Sequence, residues 1–106
     1  MLIPILFTDL SSQKRRPVIV ISNETYHRGS SDVVVVAMTS NPVATPYSFV
    51  LTTADLDAGT LNRPGTVRVD KVYTLAGSLI VKTFGRVSRA TVERIRDVLT
   101  DLTKLQ

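Results

Sequence analysis

The run Val33-Val34-Val35-Val36-Ala37-Met38-Thr39 does more than any other stretch to limit what this chain can become. Four β-branched residues in succession are stiff at χ1 and sit better on a pleated surface than along a helix, so the run predicts a strand. Its apolar residues are continuous rather than alternating, the pattern of a central strand covered on both faces. A second run of this kind, Val18-Ile19-Val20-Ile21, follows Lys14-Arg15-Arg16-Pro17 and predicts another strand from Pro17 to Ser22. Between them Asn23 to Asp32 is a long polar connection. If the two strands pair antiparallel with Ser22 and Val33 closing the loop, counting back along the register places Arg16 opposite Thr39. A cation and a hydroxyl then share one end of one sheet.

Pro17 fixes its own φ and pushes Arg16 towards extended geometry, so Arg16 is held at the mouth of the strand. A cation positioned in this way is a stronger functional candidate than a solvated one.

The remaining chain supplies more short strands. Met1 to Phe7 reads as the first, and Thr8 to Gln13 as a polar loop delivering the chain to the cations. Ser40-Asn41-Pro42-Val43-Ala44-Thr45-Pro46 is a turn-rich loop leaving the Arg16 and Thr39 end, and Tyr47 to Thr52 is a strand after it. Thr53 reads as the N-cap of one helical turn over Ala54 to Ala58, ended by Gly59. From Thr66 to Val72, Val67 and Val69 alternate with Thr66, Arg68 and Asp70, which predicts one wet face and an outward Arg68. Tyr73 to Leu75 continues or bends this strand, and Ala76-Gly77-Ser78 turns the chain. Leu79 to Val87 is a further strand, with a bend or bulge at Gly85.

Ser88 reads as the N-cap of a closing helix in which Val92, Ile95, Leu99 and Leu102 lie on one face, widened by Val98 and Leu105. Arg94, Arg96, Asp97, Asp101 and Lys104 form its solvated face. Five or six short strands and a terminal helix predict a mainly β fold, a small SH3-like barrel decorated by a short helical turn and a C-terminal α-helix. An OB-like barrel shares the same periodicity. At 106 residues the chain is one domain, residues 1–106.

Composition removes several function classes. With no cysteine, disulfides, thiolate metal sites and a cysteine nucleophile are excluded, in keeping with a reducing cytoplasm. The apolar start is interrupted by Pro4 and closed by Asp9, too short for a signal peptide or a membrane span, so the expected location is cytoplasmic. No cluster of His, Asp and Glu has ligand spacing and no glycine-rich loop precedes a helix, so neither a metal nor a nucleotide cofactor is expected. Thirteen Lys and Arg against nine acidic residues give a net charge of +4, a weak pointer to a polyanionic partner. His27, the only histidine, falls at the far end of the hairpin from Arg16 and reads as an exposed loop residue.

Phe7-Thr8-Asp9-Leu10, then Lys14 to Ser22, then Val36-Ala37-Met38-Thr39-Ser40 together resemble the MazF/PemK family of toxin endoribonucleases. The match continues through Val67-Arg68-Val69-Asp70-Lys71-Val72, Thr74-Leu75 and Gly85-Arg86-Val87, covering nearly the whole chain in order. Family members usually begin with a Gly-Asp or Gly-Glu pair and several more residues of strand one, whereas this chain starts inside that strand. The resemblance implies a compact SH3-like (MazF/CcdB-type) barrel that forms a homodimer and cleaves single-stranded RNA without metal. It also implies inhibition by a cognate antitoxin whose acidic, disordered tail fills the RNA groove.

Carried over by position, Arg16 and Thr39 match the family's catalytic pair. Lys14, Arg15, Arg68 and Lys71 are candidate contacts to the RNA backbone, and Ser40 and Asn41 candidate contacts to bases. Tyr47 is better placed packing the barrel than stacking on a base. The competing reading is a non-catalytic protein of the same fold, either a gyrase inhibitor or an inactive RNA-binding module.

Overall fold

In the computed structural model the backbone is described for residues 3–11, 14–39, 45–61 and 63–106, and side chains for 17–39, 45–61, 63–80, 83 and 85–106. In chain order the elements are β1 (Ile3–Ser11), β2 (Lys14–Val20), α1 (Glu24–Gly29), β3 (Asp32–Thr39), β4 (Ser48–Leu51) and β5 (Leu56–Ala58). They continue with β6 (Gly65–Ala76), β7 (Ile80–Val87) and α2 (Arg89–Leu102). Two 3₁₀ turns, Thr53–Asp55 and Gly77–Leu79, precede β5 and β7.

All seven strands belong to one antiparallel sheet in the order β4-β6-β3-β2-β1-β7-β5. The two continuous apolar runs occupy its middle, as their patterning requires. Val35 and Val36, whose side chains leave the strand on opposite faces, are both fully buried, and so are Val18 and Ile19. Ile19, Val36, Leu51, Val67, Val69 and Val87 fill the core together with Ile95 of α2.

Chain connectivity forces this sheet to curl. Its two edges, β4 and β5, are consecutive in sequence, joined by Thr52 and the Thr53–Asp55 turn. A flat sheet of seven strands would hold its edges about 29 Å apart, six spacings of about 4.8 Å. Five peptide steps from Leu51 to Leu56 reach about 18 Å at full extension, and less through a 3₁₀ turn. The edges must therefore approach each other, and the product is a small SH3-like barrel.

Two contacts secure the closure. Thr52 and Asp55 form a capping box, with Thr52 N donating to Asp55 Oδ2 at 2.8 Å. The Asp55 carbonyl accepts from Ser88 N at 2.8 Å and from Thr91 Oγ1 at 3.1 Å, which ties the start of α2 to the same turn. Ser88 caps α2 as its sequence predicts, its hydroxyl accepting from Thr91 N at 3.2 Å.

Several boundaries differ from the sequence reading, each for a physical reason. β1 runs on to Ser11 and β2 starts at Lys14, because Thr8, Asp9 and Ser11 find ladder partners in Arg16, Arg15 and Lys14. The polar segment read as a loop is thus strand, and the three cations lie within β2 rather than at its mouth. The connection after β2 contains α1, capped by Asn23 accepting from Tyr26 N at 3.0 Å and braced by Glu24 and Arg28 at 3.2 Å. It buries no residue, so it carries no apolar periodicity to detect.

Of the helical turn expected over Ala54 to Ala58 only Ala54 and Asp55 are helical, in a 3₁₀ turn that begins at Thr53 and is capped by Thr52 rather than Thr53. Leu56–Ala58 instead pairs with Val87 and Arg86. At Gly85 the backbone of this edge lies so close that a Cβ would drive into the Ala58 carbonyl oxygen. The expected bulge is present as well: β1 slips against β7 between Ile5 and Leu6, opposite Gly85 and Thr83. On α2, Val92, Val98 and Leu99 pack partly buried against the core, but Leu105 lies past the helix and is 96% exposed. Arg94 is not simply solvated, because its guanidinium carbon sits 4.2 Å from the centroid of the Phe49 ring.

Candidate active site

The β2–β3 ladder pairs Val18 with Ala37, Ile19 with Val36 and Val20 with Val35. This is the register counted from the sequence. The ladder ends at Val18 and Ala37; continued two residues further along both strands, the same register would set Arg16 level with Thr39. Arg16 is paired on its other side with Thr8 of β1, and Thr39 with Thr66 of β6, which in turn faces Val50 of β4. One row across five strands thus carries Thr8, Arg16, Thr39, Thr66 and Val50. Of this row the side chains of Thr39, Thr66 and Val50 are among those described, and directly opposed residues such as Thr39 and Thr66 share a face of the sheet.

Thr39 is half-buried and Thr66 is buried. The sequence reading placed Thr66 on a wet face; it is covered because β6 is an interior strand between β3 and β4. The signal that could have found it is its place at the start of the strand that pairs with the end of β3.

Arg68 lies two residues along β6 from Thr66, opposite Ala37 on one side and Ser48 on the other. It is not free in solvent. Its Nε donates to Asp70 Oδ1 at 3.0 Å and its Nη2 to Asp70 Oδ2 at 2.8 Å. The side chains are only 23% and 31% exposed, so this is a partly shielded, bidentate pair rather than a loose surface contact. The Asp70 carboxylate, through its hydrogen bond to Arg68, holds the guanidinium pKa above its ordinary value. The same hydrogen bond from Arg68 lowers the Asp70 pKa below the usual carboxylate range.

A carboxylate with a lowered folded pKa contributes stability that is fully present above its unfolded pKa of about 3.9 and is lost as pH falls through the folded value. Acid melting should show it. Between about pH 5 and pH 3, Asp70→Asn is expected to lose less of its melting temperature than the parent chain. Equal losses would mean that the pair contributes nothing to acid sensitivity.

The other sequence-derived residues are dispersed. Arg15 and Lys14 lie at the turn end of the β1–β2 hairpin, opposite Asp9 and Ser11. Lys71 is exposed, in the stretch where β6 slips against β3 between the Ala37–Arg68 and Val36–Val72 pairs. Ser40 and Asn41 lie outside the described residues. Tyr47 is half-buried and its carbonyl accepts from Val69 N at 3.0 Å. His27 is exposed on α1, beyond the other end of β2 from Arg16, and its Nε2 lies 2.6 Å from Ser22 Oγ.

Among the described residues no three His, Cys, Asp or Glu side chains are grouped to hold a metal ion. No helix of the described chain is long and apolar enough to cross a membrane. By residue type the row combines an arginine with threonines, the kinds of group that can bind and stabilise an anionic centre.

Comparison with curated protein sequences gives no match. Solved structures give many. An endoribonuclease bound to its cognate antitoxin, from a mycobacterial species, superposes with a TM-score of 0.76 at 24% identity, over 97% of this chain and 93% of that one. The Mycobacterium tuberculosis toxin MazF-mt6 superposes with a TM-score of 0.79 at 20% identity, over 97% and 98%. A MazE–MazF complex from Deinococcus radiodurans gives 0.77 at 17% identity, over 97% and 93%. These likenesses establish a common fold. The sequence itself matches the family model for the PemK-like, MazF-like toxin of type II toxin-antitoxin systems over residues 4–103, and the chain belongs to that family.

Proposed function

We propose that this toxin is a metal-independent endoribonuclease that cleaves single-stranded RNA, with Arg16 and Thr39 as its catalytic residues. The observation that supports the reading is the β2–β3 ladder, which pairs Val18 with Ala37 and, if its register is continued by two residues, sets Arg16 level with Thr39, itself paired with Thr66. Family membership supports it, as do fold relatives described as endoribonucleases.

In such a reaction the substrate's own 2′-hydroxyl attacks the adjacent phosphorus. The bond from phosphorus to the 5′-oxygen breaks, that oxygen takes up a proton, and the products are a 2′,3′-cyclic phosphate and a 5′-hydroxyl. DNA lacks the nucleophile and is inert. The protein's task is mainly electrostatic: charge accumulates on the non-bridging oxygens as the pentacoordinate phosphorane forms. An arginine fork matches two such oxygens, and a threonine hydroxyl donates to the same group. Proton transfer by Arg16 is disfavoured, since a guanidinium gives up its proton reluctantly. Lys14, Arg15 and Lys71 supply longer-range attraction for the RNA backbone, and Ser40 and Asn41, next in sequence after Thr39, are the proposed contacts to its bases.

The same reading places the protein in the cytoplasm with its substrate, as a homodimer held inactive by a cognate antitoxin whose acidic tail occupies the RNA groove. Fold relatives described as toxin–antitoxin complexes support that partnership.

The test is incubation of the purified protein with mixed-sequence single-stranded RNA in EDTA. Discrete fragments bearing 2′,3′-cyclic phosphate or 3′-phosphate ends are expected. RNA left intact at high protein concentration would favour the non-catalytic alternative.

A further inference from the structure

Ser22 and His27 form a pair that the proposed RNA site does not use. Ser22 precedes the N-cap Asn23, and His27 is the fourth residue of α1. In many helices these two positions hold apolar side chains packed on each other, which fixes the entry of the chain. Here they hold a hydroxyl and an imidazole, with Ser22 Oγ 2.6 Å from His27 Nε2.

The surrounding contacts decide which way the pair works. Val34 N donates to Ser22 Oγ at 3.0 Å, so the oxygen already accepts from the backbone of β3. Its own hydrogen is then directed at Nε2, in the tautomer that carries the ring proton on Nδ1. His27 is held in turn: its N donates to the Asn23 carbonyl at 3.1 Å, and the Tyr26 ring stands edge-on to the imidazole, 6.2 Å between centroids. A hydroxyl hydrogen-bonded to a base that is itself held in place is the arrangement of an activated nucleophile. Ser22 is half-buried and His27 exposed, and α1 buries no residue, so the imidazole side of the pair is open to a solute.

The charge around the pair favours a neutral electrophile. A phosphoryl donor needs cations on its oxygens, and the arginine of α1, Arg28, is engaged by Glu24 at 3.2 Å. A thioester carbonyl is uncharged and its thiolate leaves readily.

We propose that Ser22 is an acyl-acceptor site, with His27 as its general base and a neutral acyl thioester as the donor. His27 Nε2 takes the Oγ proton as Oγ adds to the carbonyl carbon. The carbon–sulfur bond breaks, the proton passes from His27 to the departing thiolate, and Ser22 is left as an oxygen ester. That ester has no hydrogen to give, so the link from Ser22 to His27 is lost with the reaction. The inference takes nothing from the nuclease reading.

The test is incubation of the whole protein with S-acetyl-N-acetylcysteamine, followed by trypsin and tandem mass spectrometry. Trypsin cuts after Arg15 and Arg28 but not between Arg16 and Pro17, which leaves Ser22 in a peptide without lysine. Thr25 and Tyr26 in the same peptide are internal controls. Ser22 is expected to gain acetyl at least about 10²-fold faster than Thr25, the low end of what a positioned general base contributes. His27→Gln keeps an acceptor beside Ser22 but no base, and should remove that advantage.

The ratio in the parent protein decides by itself. A pair that only tethers α1 would leave the half-buried Ser22 protected relative to the exposed Thr25. Acetylation of Ser22 no faster than of Thr25, or none on this peptide, would overturn the proposal. So would an undiminished ratio in His27→Gln.

Discussion

Replacing Arg16 with alanine is expected to lower the rate of RNA cleavage by a factor of at least about 10² to 10³, the loss typical when one preorganised donor to a developing oxyanion is removed. Thr39→Ala should cost less, about tenfold to a hundredfold, since a single hydrogen bond to a charged group is worth about 1.5–3 kcal/mol. The two losses should fall mainly on kcat, because the charge they stabilise is greatest in the phosphorane and smaller in the bound substrate. Both variants should keep the fold: the β1–β2 ladder at Arg16 is formed by backbone, and Thr39 is only half-buried. Circular dichroism and a melting temperature within a few degrees of the parent would confirm that. His27→Ala should leave cleavage unchanged, since α1 lies beyond the opposite end of β2. A large loss in His27→Ala with normal rates in Arg16→Ala would show that the site lies elsewhere.

Gly85→Ala should produce the largest loss of stability for the smallest change in volume. The added methyl group would meet the Ala58 carbonyl oxygen, Ala58 carbon and Gly59 Cα, all of them backbone. Backbone cannot turn aside as a flexible side chain does, so β5 must move away from β7 or β7 must distort. The Leu56–Val87 and Ala58–Arg86 pairings lie at this contact, and so does the Asp55 carbonyl that anchors α2. Overpacking of this kind costs about 3 kcal/mol, at the upper end of its usual range. For a chain of this length that corresponds to a fall of about 12–20 °C in melting temperature. Calorimetry of the variant would measure it, and a fall of less than about 4 °C would mean that this edge gives way freely.

The middle of the sheet was legible in the sequence because burial on both faces leaves no choice of side chain there. Val33 to Met38 and Val18 to Ile21 have the composition of interior strands, and the loop-closing residues between them fix their register. The pairing of Val18 with Ala37, Ile19 with Val36 and Val20 with Val35 followed from that register alone. The edges were less legible. β5 is three residues long, too short for any alternation to establish itself, and only its pairing with β7 makes it a strand. The end of β1 looked like loop because Thr8, Asp9 and Ser11 are polar, yet pairing with Arg16, Arg15 and Lys14 overrides that preference. The link between Arg68 and Asp70 was visible as two opposite charges on one face of one strand, but its bidentate geometry is a matter of rotamers, which no spacing encodes.

The pairing of β1 with β7 also sets an order of events during synthesis. Residues Ile3 to Thr8 find half of their ladder in Ile80 to Val87, made about seventy residues later. At about 5–20 residues per second, the ribosome takes roughly 4–14 s to supply that partner. Until then β1 has one unpaired edge, a template for pairing with other chains, and the curled sheet cannot close. Contacts so distant in sequence slow folding as well. The nascent chain therefore spends seconds as an open sheet before the last strand completes it.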